Sequence, residues 1–143
     1  MNGKHFLDTN VFVYMFDRTA PEKQAQAKQM VQEALVSSTG IISTQVIQEF
    51  LNVASRKFSV TLSVEDSHSL LRRVLYPLCQ IYPDLELYED SLWIQAETGY
   101  AFYDSLILAA AVRAGCDVLY SEDMQHGRVV RGTLIQNPFQ GLL

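Results

Sequence analysis

Apolar residues along this 143-residue chain fall into short runs separated by more polar, helix-like stretches. Lys4 to Asp8 reads as a short strand, and Val11 to Phe16 as a short helical segment ending before the polar Asp17-Arg18-Thr19. Pro21 opens a polar helix through about Val36, since proline suits a first turn where its missing N–H has no partner to lose. Ala25, Met30 and Ala34 recur near helical spacing within it. Gly40-Ile41-Ile42-Ser43 predicts a brief buried strand. Thr44 can cap the next helix, whose apolar positions 46, 47, 50, 51, 53 and 54 form one stripe. A further helix is expected from Ser63 to Tyr76, closed by Pro77, and a third strand from Leu78 to Tyr82. Pro83 starts a helix ending near Gly99, and Phe102 to Ala114 is a strongly apolar helix ended by Gly115. Asp117 to Ser121 and Leu134 to Gln136 complete five strands. Strands alternating with helices predict an α/β fold with a parallel sheet covered on both faces, in a single domain over residues 1–143.

Four acids interrupt or end apolar segments: Asp8, Glu49, Asp104 and Asp123. A carboxylate in such surroundings costs stability unless it is paired or bound to metal. In open parallel sheets functional groups gather beyond the carboxyl ends of the strands. Asp8 ends the first strand, Asp123 follows the fourth, Asp104 lies in a first helical turn, and Glu49 sits about two turns into the helix after the second strand. Carboxylates gathered in one pocket repel each other, and a hard cation removes that conflict. Oxygen donors without a His or Cys cluster favour Mg²⁺ or Mn²⁺ over Zn²⁺. Thr9, Asn10, Ser105 and Ser121 stand beside these acids and could orient ligands or waters. Each acid also has a local explanation: Asp8 as a helix cap, Asp104 as a first-turn acid favoured by the helix dipole, Glu49 as a solvated edge residue. Glu122 competes equally with Asp123 on local chemistry.

With 11 basic and 16 acidic residues the net charge is −5, unlike the basic domains that usually bind nucleic acid. Setting four acids aside for a cation leaves −1, so the acidity can belong to the site more than to the whole surface. Arg56 and Lys57 end the helix carrying Glu49, and Arg72 and Arg73 lie on the next. These four are candidates for holding nucleic-acid phosphates, with solvated helix faces as the alternative. Cys79 and Cys116 lack metal or redox spacing and read as reduced structural thiols of a cytoplasmic protein. The longest apolar stretch, Leu106 to Val112, is too short to span a membrane, and no secretory signal opens the chain. Val11 to Phe16 and the stripe Leu70, Leu71, Val74, Leu75 and Leu78 are more apolar than one core face requires, so part of them could serve a dimer or partner interface.

Taken in order, five pieces carry a resemblance: Phe6-Leu7-Asp8-Thr9-Asn10-Val11, Gln48-Glu49-Phe50, Tyr103-Asp104-Ser105 with the apolar run to Ala111, Leu119 through Gly127, and Asn137-Pro138-Phe139. Together they resemble the PIN-domain nucleases, especially the compact VapC-type toxins of toxin–antitoxin modules. The resemblance implies a three-layer α/β/α fold with a five-stranded parallel sheet. It implies Mg²⁺- or Mn²⁺-dependent hydrolysis of RNA phosphodiester bonds by metal-activated water. It assigns Asp8, Glu49, Asp104 and Asp123 to the metal site and so prefers Asp123 over Glu122; Ser121 stands where the family usually has threonine. It further implies a homodimer and a small VapB-type antitoxin that binds DNA and wraps the toxin with its C-terminal segment. A housekeeping RNA-processing nuclease and a non-catalytic RNA- or protein-binding module are the alternatives within that resemblance. A haloacid-dehalogenase-type phosphatase would want Asp where this chain has Asn10, and both it and a receiver domain use a late lysine, whereas the last lysine here is Lys57.

Overall fold

The structure, a computed structural model, describes residues 3–56 and 62–143. Lys57, one of the candidate RNA contacts, lies outside the described residues. The elements run β1 (His5–Leu7), α1 (Thr9–Tyr14), α2 (Pro21–Ser37), β2 (Gly40–Ser43), α3 (Thr44–Ala54) and α4 (Val64–Leu70). A π-helical turn (Leu71–Leu75) and a short α5 (Tyr76–Leu78) lead into β3 (Cys79–Ile81). Then follow α6 (Leu85–Thr98), α7 (Phe102–Arg113), β4 (Val118–Tyr120), β5 (Val129–Val130) and β6 (Thr133–Gln136).

The sheet order is β3-β2-β1-β4-β6-β5. The five expected strands are all present and mutually parallel. The sixth, β5, pairs antiparallel with β6 through Val129 opposite Leu134 and Val130 opposite Thr133. Two residues carry too little pattern to announce a strand, and the turn that makes the pairing holds Arg131 and Gly132 at positive φ. The chain steps outward from β1 to β2 to β3, then returns across the sheet to β4. With right-handed crossovers, that reversal puts α6 and α7 on the face opposite α1 and α2. Apolar side chains of β1, β2 and β4, with Val11, Phe12, Phe50, Ile107 and Leu108, fill the core between these layers.

Local departures from the expected boundaries have simple causes. Pro77 does not close its helix but sits in the last turn of the chain before β3, at a position where proline suits a first helical turn. Thr44 is the first residue of α3, with Ser43 in the cap position. Gly40 is required by close approach: a Cβ there would lie 2.3 Å from Ala34 Cβ, so α2 and β2 can touch only with glycine at that point. The apolar excess expected in Val11 to Phe16 is core, since Val11 and Phe12 are fully buried and Val13 to Phe16 pack against the same cluster. Large apolar exposure falls instead on α6, at Leu85, Leu92 and Trp93. Among the described residues no helix is long and apolar enough to cross a membrane.

Candidate active site

The reversal of strand order between β1 and β4 leaves a crevice at the carboxyl ends of these two adjacent strands, the usual place for a site in an open α/β sheet. Asp8 leaves β1 directly into α1, where its side chain caps the helix by accepting from Thr9 N–H at 2.7 Å. Its second oxygen accepts from Ser121 Oγ at 2.7 Å, across the β1–β4 junction. The helix-cap and functional readings of Asp8 are therefore not alternatives, because capping is what aims the carboxylate. Asp8 is only 4% exposed. Burial pushes its carboxyl up to about 7, against the two hydrogen bonds that lower it, and the nearby charges of Asp123 and Glu49 push in the same direction as burial.

The other three acids reach the same cleft from three directions. Glu49, on α3, accepts from Thr9 Oγ1 at 2.8 Å. Asp104 enters from the first turn of α7, a turn fixed by Gln45 Nε2 donating to the Tyr103 carbonyl at 3.1 Å. Burial, then the charge of Asp123, raise its carboxyl above the ordinary range. Asp123 follows β4 and accepts from Asn10 Nδ2 at 3.3 Å, while its own N–H donates to Ser121 Oγ. Glu122 turns the other way: it accepts from Tyr14 Oη at 2.5 Å and from Lys23 Nζ at 2.8 Å. That pairing separates two neighbouring acids which local chemistry left equal, and leaves Asp123 to face the cleft.

The cleft encloses about 430 Å³, and two residues that the sequence reading did not single out also line it. Asp17, just past α1, adds a fifth carboxylate. Tyr14 adds an aromatic wall continuous with Val13, Val53 and Ile107. Both come from the helical periodicity of α1: residues 10, 13, 14 and 17 share one face, a spacing that could have drawn attention to them. Ser105 does not belong to the cleft; it is buried in α7 and its hydroxyl makes no hydrogen bond among the described residues. Arg56 is exposed one turn beyond Val53. Arg72 and Arg73 are exposed on a separate groove with His68 and Ser69, so the structure does not bring them to the acids. Among the described residues no three His, Cys, Asp or Glu side chains are drawn together closely enough to hold a metal ion.

Comparison with known proteins agrees with this architecture. The family model described as PIN domain matches residues 5–132. No curated protein is significantly similar in sequence. Among solved structures, a toxin–antitoxin complex from Klebsiella pneumoniae superposes with a TM-score of 0.66 at 19% identity, over 95% of this chain and 98% of that one. DNA-bound VapBC from Salmonella typhimurium gives 0.65 at 18% identity, over 94% and 98%. A sarcin–ricin-loop-cleaving VapC toxin from Mycobacterium tuberculosis gives 0.58 at 18%, over 84% and 90%. At these identities the likeness is one of fold.

Proposed function

Because the chain belongs to the PIN domain family, we propose that it is a divalent-metal-dependent endoribonuclease of the VapC toxin type, acting through Asp8, Glu49, Asp104 and Asp123. The observation that carries this reading is the convergence of these four carboxylates, distant in sequence, on one crevice at the carboxyl edge of the sheet. The donor set fits Mg²⁺ or Mn²⁺: it is all oxygen, its charges are mutually unfavourable without a counterion, and Asn10 Oδ1 is buried beside it with no hydrogen-bond partner among the described residues. That the described residues form no tight three-acid cage suits Mg²⁺, which usually takes one or two carboxylates and completes its shell with water and substrate phosphate. When bound, such an ion would supply water activation and charge neutralisation at the scissile phosphate.

The chain's own residues do the positioning. Ser121 and the Thr9 N–H hold Asp8 in a single orientation, and the Thr9 hydroxyl ties Glu49 to the same helix start. Asn10 steadies Asp123, the most exposed of the four. Val13, Val53 and Ile107, with the Tyr14 ring, keep water from one wall and leave room there for the sugar or base next to the scissile bond. Arg56, exposed one turn beyond Val53, is proposed as a contact for a neighbouring phosphate.

Purified protein should cleave RNA with Mg²⁺ or Mn²⁺ and stop on addition of chelator, and Asp104→Asn should lose at least about a hundredfold in rate. Full activity in that variant, or in chelator, overturns the mechanism. We further propose a homodimer and a small antitoxin as partners, supported by the apolar exposure of Leu85, Leu92 and Trp93 on α6. Light scattering at micromolar concentration should give twice the monomer mass; a clean monomer would count against the dimer.

A further inference from the structure

Successive strand residues point to opposite faces, so Ser121 reaches toward Asp8 while Tyr120 projects to the other side of β4. There, between α2 and the β4–β6 edge, lies a second cavity of about 290 Å³, close to the lower end of small-molecule sites. Four of its nine lining residues are carboxamides: Gln26 from α2, Gln136 from β6, and Asn137 and Gln140 after it. Gln26 and Gln136 are partly buried and Gln140 is exposed, and among the described residues none of their side-chain amides bonds to protein, so three NH₂ and three carbonyl groups around the cavity are open to a ligand. The Asn137 Oδ1 is already taken by the Phe139 N–H, leaving its NH₂ group. The Tyr120 ring forms part of the wall and is braced edge-on by His5, with ring centroids 5.6 Å apart.

The ligand chemistry follows from what is present. No lysine or arginine lines the cavity, whose titratable residues are His5 and Glu33, with the Tyr120 phenol, so nothing there is built to hold an anion such as phosphate. Carboxamides carry a donor and an acceptor side by side and match the paired donor and acceptor edges of nucleobases. An aromatic wall suits a planar heterocycle taken out of its stack. We propose that this pocket binds a nucleobase through its hydrogen-bonding edge. Whether the base belongs to an RNA strand or to a free nucleoside is a separate matter, and only the RNA source rests on the ribonuclease reading above.

The test uses full-length ¹⁵N-labelled protein in chelator, titrated with adenosine, guanosine, cytidine and uridine, with ribose 5-phosphate as the phosphate-bearing control. At least one nucleoside should shift the side-chain amide signals of Gln26, Gln136 and Gln140 and the backbone signals around Tyr120, while ribose 5-phosphate leaves them unmoved. Gln26→Leu and Gln140→Leu, surface changes whose spectra report retained folding, should each weaken that binding about five- to tenfold. The same variants, assayed for RNA cleavage, should raise KM without lowering kcat if the base comes from RNA; an unchanged KM assigns the pocket to free nucleosides. No shifts at millimolar nucleoside, equal shifts with ribose 5-phosphate, or undiminished binding in both variants overturns the proposal. Should the wild type cleave no RNA, the ribonuclease reading fails by itself and the nucleoside titration still decides the pocket.

Discussion

Replacing Asp8 by Asn should make the metal-free protein more stable at neutral and higher pH while reducing RNA cleavage by about a thousandfold. The two effects have one origin. Asp8 is buried, and burial pushes its carboxyl to about 7, well above the ordinary carboxylate range near 4. Above pH 7 the folded chain must hold that group ionised in a dry setting, facing Asp123 and Glu49. Each pH unit between the ordinary value and about 7 represents roughly 1.4 kcal/mol of stability given up, so the whole burden is on the order of 4 kcal/mol. Asparagine has the same shape without the charge, remains a good N-cap, and can still accept from the Thr9 N–H while Ser121 reverses its hydrogen bond. Chemical denaturation at pH 8 in chelator should show a gain of about 2 kcal/mol. A loss of stability in Asp8→Asn would mean that the carboxylate is a structural asset and not the seat of the site's charge conflict.

The second large effect is the slope of stability with pH. Between about pH 4 and 7 the unfolded chain has already released the Asp8 proton and the folded chain has not. The folded state therefore binds more protons, and unfolding free energy falls as pH rises through that window, flattening above it. Asp104, raised for similar reasons, adds a contribution of the same sign. Asp84 and Glu97, held low by the Leu87 N–H with Arg113 and by Arg131 respectively, act oppositely, their stabilisation being lost only as the solution becomes strongly acid. Thermal melts in chelator should thus peak in the mildly acid range and decline towards pH 7.5. Adding Mn²⁺ should remove most of the decline and release protons on binding near pH 6. A metal-free stability that climbs steadily from pH 5 to 7.5, or a decline that persists undiminished in Asp8→Asn, would refute this account.

Most of the sheet was legible because its strands are either short apolar runs closed by Gly, Pro or Asp, or runs that end in the acids themselves. Ile41-Ile42 and Val118-Leu119-Tyr120 cannot be stable exposed, and the helices between them announce parallel crossovers. The antiparallel β5 escaped because Val129-Val130 gains its identity from β6, not from its own pattern. The same contrast holds in the cleft. Asp8, Glu49, Asp104 and Asp123 are conspicuous as charges set against apolar neighbours, whereas Asp17 sits in a polar segment where an acid attracts no notice. Tyr14 reads as one more apolar residue until its hydroxyl is seen bound to Glu122 and Lys23. Ser105 shows the limit of adjacency: it neighbours Asp104 in sequence, but the helix turns it about 100° away into the core. Arg72 and Arg73 stand apart from the acids for a related reason, since their helix and its π-turn face a groove of their own.

The Ser121–Asp8 hydrogen bond joins residues 113 positions apart, and Asp123 enters the cleft only two residues later. A ribosome synthesises the chain from the other end, and β1 has no partner on its β4 side until most of the polypeptide has emerged. Until then the acid from β1 faces neither the serine that orients it nor the carboxylate that completes the cleft. The cleft is thus a late product of synthesis: its first acid waits, unoriented, for a strand made more than a hundred residues afterwards.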